Sequence, residues 1–283
     1  MDKKARQAID DLLISFADWL KSQGKAEGTL QTYLRVIRIF LGFIWQKDFR
    51  VEDISSDHVQ SYIHYLETNK KSPGTVEKHF AAISVFSKFL GNHQMMMNIV
   101  RIPKEKHDDM PESLSPAEQK KLLDEVKADG NLRNIAIIYT LLHTGIRVSE
   151  LCDLNKSDIF LNDDQGYLIV RPVNSKEGRE IPLSHEVRKY LSRLIESPKN
   201  QGPALFVSTV NKRLTPRAVQ YILKKYNVHP HKLRHTFCQR LINNGIDLQT
   251  VSKLAGHKDI NVTKRYSKEI DIDVKSAIEK TFT

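Results

Sequence analysis

Cysteine is scarce in this chain of 283 residues, with only Cys152 and Cys238. No Cys-x-x-Cys pair and no histidine at finger spacing accompanies them. That excludes a disulfide scaffold and a thiolate metal site, and leaves buried thiols suited to a reducing cytoplasm. Long apolar runs are missing too. None approaches the roughly 20 residues that span a bilayer. The start, Met1-Asp2-Lys3-Lys4, leads into a charged helical pattern with Asp10 and Asp11, not an apolar signal core. No membrane partner and a cytoplasmic location are therefore expected. No Asp/Glu cluster at metal-ligand spacing is present, so metal-assisted chemistry is disfavoured and no cofactor is expected. Strand patterns are absent from the first 90 residues, and no internal repeat or low-complexity tract stands out.

What is present is length and positive charge. The chain is too long for one typical domain, and two are expected. Lys and Arg number 44 against 34 Asp and Glu, a net charge of +10. The excess is lopsided. Residues 1–110 hold 16 basic and 14 acidic residues, leaving 28 and 20 for residues 111–283. A polyanion is a plausible partner for the second half.

The first half reads as a small helical bundle. Ile9, Leu12, Leu13, Phe16, Trp19 and Leu20 recur by threes and fours over residues 5–22. Gly24 and Gly28 break that pattern, and a second helix runs over 29–46. A third spans about 56–67. Ser72-Pro73, an N-cap followed by a first-turn proline, opens a fourth that ends at Gly91. Arg35, Arg38, Lys70, Lys71, Lys78 and Lys88 are its basic positions with a possible phosphate role, each with plain solvation as the simpler reading. Met95-Met96-Met97 reads as gap-filling core or helix end. The expected domains are residues 1–100, a Pro- and charge-rich linker over 101–111, and residues 112–283.

The second half mixes helices with a small sheet. Ser115-Pro116-Ala117-Glu118 is a capping box with a first-turn proline. The apolar run from Asn131 to His143 reads as a buried helix. Gly145 breaks it, and a short helix over 149–154 follows. Residues 166–171 and 179–183 read as strands of a hairpin whose polar tip carries Lys176. Residues 204–207 offer a third strand. Thr215-Pro216 caps a helix through Tyr226. Further helices span 231–243 and 247–254, a helical turn spans 261–267, and a short helix spans 272–281.

The chemistry concentrates between Val228 and Tyr266. His231 and Arg234 are one helical turn apart. His257 follows Gly256, and Tyr266 lies nine residues on. Arg147 sits at a helix junction, where its charge needs a partner, and Glu150 is the structural candidate. Arginine matches two phosphate oxygens with a planar fork. Histidine moves protons near neutral pH. A phenol attacks phosphorus once its proton is removed or its charge stabilised. Cations would stabilise the charge that builds on a phosphodiester in the transition state. Arg147 and Arg234 can clamp the non-bridging oxygens. His231 or His257 can take the tyrosine proton or donate to an oxygen, and Lys176 can protonate the departing 5′ oxygen. Tyr221 and Tyr226 precede both histidine segments and read as packing residues.

The set Arg147, Lys176, His231-x-x-Arg234, His257 and Tyr266 resembles that of the tyrosine recombinases, or phage-integrase family. Thr144-Gly145-Ile146-Arg147-Val148-Ser149-Glu150-Leu151 is similar to its first arginine box. His231-Lys232-Leu233-Arg234-His235-Thr236-Phe237 is similar to its His-x-x-Arg box, and Leu254-Ala255-Gly256-His257 with Tyr266 to its third. The whole chain is covered, and it looks most like the Xer type. Two departures stand out. The hairpin around Lys176 looks shorter than usual, and Ser267-Lys268 follow the tyrosine where members often have Thr then His or Ala.

The resemblance implies a mainly α fold: a four-helix core-binding domain that binds DNA, and a catalytic domain with a small sheet. It implies a clamp around double-stranded DNA, a 3′-phosphotyrosyl intermediate with Tyr266 as nucleophile, and strand exchange through a Holliday junction in a tetramer. No metal, cofactor or ATP is implied. Helix 272–281 would dock on a neighbouring subunit, and a DNA translocase is a possible activator. Chromosome-dimer resolution is the leading expectation, which would tie the chain to chromosome partition in the cell cycle. A mobile-element integrase is the nearest alternative. A type IB topoisomerase-like enzyme and a catalytically silent DNA-binding protein are more remote.

Overall fold

A computed structural model describes residues 3–45, 51–102, 111–162, 165–172, 178–197, 202–257, 259–264 and 266. Contacts divide the chain into two compact units, Met1–His107 and Asp108–Thr283.

Among its described residues the first unit has helices and no strand: α1 (Lys3–Ser22), α2 (Glu27–Ile44), α3 (Ser56–Thr68) and α4 (Pro73–Leu90). Its core is the apolar stripe of each helix, with Phe16, Phe40, Tyr62, Ile63 and Phe86 fully buried. Ser72 caps α4 by accepting from the Thr75 N–H, and Gly91 ends it at φ +66°. Gly24 does terminate α1, at φ +67°, but Gly28 lies inside α2. The Ala26 carbonyl already accepts from Thr29 and Leu30, so α2 starts earlier than its apolar spacing indicates. Met95 is buried and Met97 is exposed.

In the second unit, α5 (Pro116–Ala128) opens with the expected reciprocal cap between Ser115 and Glu118. Helix α6 (Leu132–Thr144) is buried along most of its length and ends at Gly145, φ +62°. A Cβ there would lie 2.2 Å from the Phe237 ring, so only glycine allows this approach. Helix α7 (Val148–Asp153) follows. Three antiparallel strands come next, in order β1 (Ile159–Leu161), β2 (Gly166–Val170), β3 (Arg179–Pro182). The hairpin expected from the sequence is β2–β3. The third strand is not 204–207. Ala204 and Val207 make only isolated bridges, to Asn155 and Arg213, and β1 pairs with β2 instead. Helix α8 (His185–Ile195), not read from the sequence, packs on α6. Then come α9 (Pro216–Lys224), α10 (Pro230–Asn243), α11 (Leu248–Ala255) and the short α12 (Asn261–Lys264). Lys176, most of the expected linker and helix 272–281 lie outside the described residues. No described helix is long and apolar enough to cross a membrane.

Candidate active site

Arg147 is the N-cap of α7, extended in backbone, three residues past the end of buried α6. Glu150, one turn on, accepts its backbone N–H at 2.7 Å and its Nη1 at 3.1 Å. The expected internal pair therefore exists. It does not consume the guanidinium, whose side chain remains 42% exposed. Arg147 Nη2 donates to the Gly256 carbonyl at 2.6 Å, which ties the first arginine segment to the end of α11 and the start of the His257 segment.

Arg234 comes from the first turns of α10 and is only 6% exposed. Its Nη1 donates to the Gly145 carbonyl at 2.5 Å, across the approach that Phe237 makes to that glycine. Burial, then the field of Arg147, pulls its pKa below the ordinary guanidinium value. His231, one turn earlier, is exposed, with its ring stacked on His235 at 6.3 Å. Its pKa is lowered by burial first, then by His229, Arg234 and Arg147.

His257 sits just past the α11 C-cap Gly256, with Nδ1 2.7 Å from Thr263 Oγ1. Burial and the charges of Arg234 and Arg147 push its pKa down to about 4. At neutral pH both His231 and His257 are therefore neutral rings, each able to accept one proton. His231 and His257 thus each lie within the fields of Arg147 and Arg234. Arg147 and Arg234 are the residues the sequence paired as a phosphate clamp.

Tyr266 is placed differently. It lies two residues past the end of α12 and is 1% exposed, packed with Phe237, Cys238, Ile242, Val251 and Ala255. Its hydroxyl lies 2.5 Å from His235 Nδ1, and its carbonyl accepts from Gln239 Nε2 at 3.2 Å. Burial, then His231 and Arg234, push the His235 pKa down to about 4, so the ring is neutral and shares a hydrogen bond with the phenol without taking its proton. A buried phenol held this way cannot reach a phosphate at Arg147 without moving.

Two neighbours of these residues, His235 and Arg179, were not singled out from the sequence. His235 follows Arg234 directly, inside the His-x-x-Arg segment. Arg179, on β3, forks onto both Glu150 oxygens at 3.0 and 2.8 Å. It shares strand parity with buried Ile181, so an inward charge was readable from the alternation. Glu150 carries more than one partner: burial would raise its pKa, but the bonds from Arg179 and from the Arg147 backbone outweigh that and lower it. Of the two tyrosines read as packing residues, Tyr226 is buried and donates to Asp129, its pKa pushed up to about 12 by burial. Tyr221 is not a packing residue, being 79% exposed on α9 with its side chain off the apolar face. Among the described residues, no group of three or more His, Cys, Asp or Glu is arranged to hold a metal.

Comparison with known proteins accounts for both units. The phage integrase family model matches residues 112–271, and the phage integrase N-terminal SAM-like domain matches residues 12–94. Tyrosine recombinase XerA of Pyrococcus horikoshii is 30% identical, with 98% of this chain and 96% of that protein covered. Tyrosine recombinase XerD of Oceanobacillus iheyensis is 32% identical over 87% of this chain and 89% of its own length. In fold, the Tn1549 transposon integrase in complex with circular intermediate DNA superposes with a TM-score of 0.73 at 20% identity, over 96% of this chain and 99% of that one. Clustered guanidinium and imidazole groups, a tyrosine after the second histidine segment and a family match over most of both units lead to one assignment: the chain belongs to the phage integrase family, the tyrosine recombinases, enzymes that cut and rejoin DNA strands.

Proposed function

We propose that the chain is a site-specific recombinase of the Xer type that resolves chromosome dimers in the cytoplasm, acting as a tetramer on its DNA site. The observation that carries the reading is the gathering of Arg147, Arg234 and two neutral histidines, with Tyr266 packed against α10. Arg147 and Arg234 hold the non-bridging oxygens of the scissile phosphate and offset the charge that grows on them in the transition state. Tyr266 attacks phosphorus and displaces the 5′ oxygen, giving a 3′-phosphotyrosyl ester. His231 accepts the tyrosine proton, and His257 donates a hydrogen bond to a phosphate oxygen. Lys176 supplies the proton to the leaving 5′ oxygen. The ester stores the energy of the broken bond, so rejoining needs no ATP. Residues 1–100 form the core-binding domain and 112–283 the catalytic domain, joined by 101–111. Helix 272–281 docks on a neighbouring subunit, and a DNA translocase is the fitting activator.

Before it attacks, Tyr266 leaves His235 and the apolar cluster of α10 and α11. Full burial of the nucleophile keeps the unassembled protein from nicking DNA. Similarity to XerA and XerD proteins favours dimer resolution, and the fold likeness to a transposon integrase keeps mobile-element integration as the second reading. The test is covalent capture. A nicked duplex carrying the site, labelled on the cleaved strand, should leave label on the protein at Tyr266. Tyr266→Phe should bind the same duplex and capture nothing. Capture that survives this change removes Tyr266 as nucleophile.

A further inference from the structure

Glu150 is a carboxylate paired with Arg147, the residue proposed to hold an anion, and its partners explain how that is tolerated. Oε1 accepts from Arg147 Nη1 at 3.1 Å and from Arg179 Nη1 at 3.0 Å. Oε2 accepts from the Arg147 backbone N–H at 2.7 Å and from Arg179 Nη2 at 2.8 Å. These four donors fill the lone-pair sites of a carboxylate. Arg179 brings the bidentate fork, whereas Arg147 brings a single terminal N–H. The fork is the stronger and more directional pairing. Exposure divides the same way: the Arg179 side chain is 16% exposed and that of Arg147 is 42%.

Arg179 also holds the end of α11. Its Nε donates to the Leu254 carbonyl at 2.8 Å and its Nη2 to that of Ala255 at 3.4 Å, while Arg147 takes the Gly256 carbonyl. Guanidinium charge suits a helix C-terminus, where unpaired carbonyls carry partial negative charge. A Cβ on Gly256 would lie 2.8 Å from Arg179 Cζ, so the glycine leaves room for this seat.

We propose that Arg179 is a positioning residue: it takes up the charge of Glu150 and seats α11, so that Arg147 stays open to a DNA phosphate and His257 is held beside it. The proposal rests on the cleavage role of Arg147 stated above. With Arg179 removed, the whole carboxylate charge falls on Arg147, and an incoming phosphate competes with Glu150 for one guanidinium. Removing the carboxylate charge as well should then restore what removing Arg179 lost.

The experiment compares the full chain, Arg179→Gln, Glu150→Gln and the double variant. Two readouts are taken: the rate of covalent capture on a nicked duplex whose site is selected from random sequence by binding, and the affinity for inorganic phosphate followed by the NMR signal of His231. Arg179→Gln should slow capture at least tenfold and weaken phosphate binding. The double variant should recover several-fold of both, which a merely structural role does not predict. A double variant no better than Arg179→Gln overturns the proposal, as does full activity in Arg179→Gln. If Arg179→Gln fails to fold, Arg179→Lys with and without Glu150→Gln answers by the same criterion. Phosphate binding that follows this pattern without capture in the parent chain would sink the cleavage reading and keep the role of Arg179. Absence of both in the parent chain overturns both.

Discussion

The two units bury different things. Among the described residues, the interior of Met1–His107 holds one buried polar side chain, Ser87, and is otherwise apolar and rich in aromatic pairs. Phe16 packs edge-on against Phe86 at 5.1 Å and beside Phe89 at 5.2 Å. The interior of the second unit has an aliphatic core, but it also buries Gln119, Thr140, Thr144, Asp158, Arg234, Thr236, Gln239, Ser252 and Thr263. Burying a polar group costs unless it is hydrogen-bonded. Thr236 accordingly accepts from the Leu114 N–H, and Gln119 donates to the Leu114 carbonyl. The first unit is built for stability, with no charge inside its described core. The second gives up part of that stability to hold charge inside, at Asp158 and Arg234.

The comparison breaks most readily at its largest side chains. Phe86→Ala in the first unit should cost about 3–5 kcal/mol, the usual range for a buried phenylalanine. Hydrogen exchange on the full chain should show that loss in α1–α4 and leave α6 and α10 protected. Equal loss in both units would mean that they unfold as one. Gly145→Ala strikes the second unit instead. Overpacking against Phe237 costs about 1–3 kcal/mol, and a left-handed φ adds about 1–2 kcal/mol for a residue with a Cβ. This change should also slow covalent capture, because the Gly145 carbonyl seats Arg234. A variant that is destabilised but fully active would separate the seat from the chemistry.

Acid should split the units further. His235 and His257 have pKa values pushed down to about 4, and His231 and His143 are also lowered, all in the second unit. Among the described residues the first unit has one such group, His79, lowered by burial and by Arg35, Lys78 and Lys71. An unfolded histidine titrates near pH ~6.5. Above that pH both states are neutral and the stability is fully present. As pH falls toward 4 the unfolded chain takes up protons that the folded one refuses, so stability declines. Between pH 7 and 5 the second unit should lose more protection than the first. His235→Asn should flatten its profile by removing one of these sites. An unchanged slope would mean that His235 is not among the groups that titrate.

How legible this was depended on what each element owes to its own residues. Apart from α8, the helices announced themselves through period and caps, as with Ser72-Pro73 and Ser115 to Glu118, because both are local. Strand β1 was missed because three residues, Ile159–Leu161, carry too short a pattern and exist only by pairing with β2. Residues 204–207 were misread as a strand because an apolar run of that length serves a buried loop equally well. Arg147, His231, Arg234, His257 and Tyr266 were readable as residue types suited to phosphate. The arrangement was not. Nothing local says that Arg179 lies against Glu150, 29 residues away, or that Tyr266 is turned inward onto His235.

The smallest expected effect tests the charged surface of the first unit. Arg38 was one of the basic positions read as a possible phosphate contact. In the structure its Nη1 pairs with Asp10 at 2.5 Å, with both side chains exposed. Exposed pairs contribute roughly 0–1 kcal/mol, so Arg38→Ala should hardly move the unfolding midpoint. DNA binding gives the sharper reading. Each phosphate contact adds about 0.9 to the slope of log affinity against log salt on duplex DNA. If Arg38 stays with Asp10 in the complex, Arg38→Ala leaves that slope unchanged. A slope reduced by about one would mean that Arg38 exchanges the carboxylate for a phosphate on binding. Arg147 differs because Arg179 shares its carboxylate, whereas Arg38 has no second guanidinium among the described residues to take the charge of Asp10.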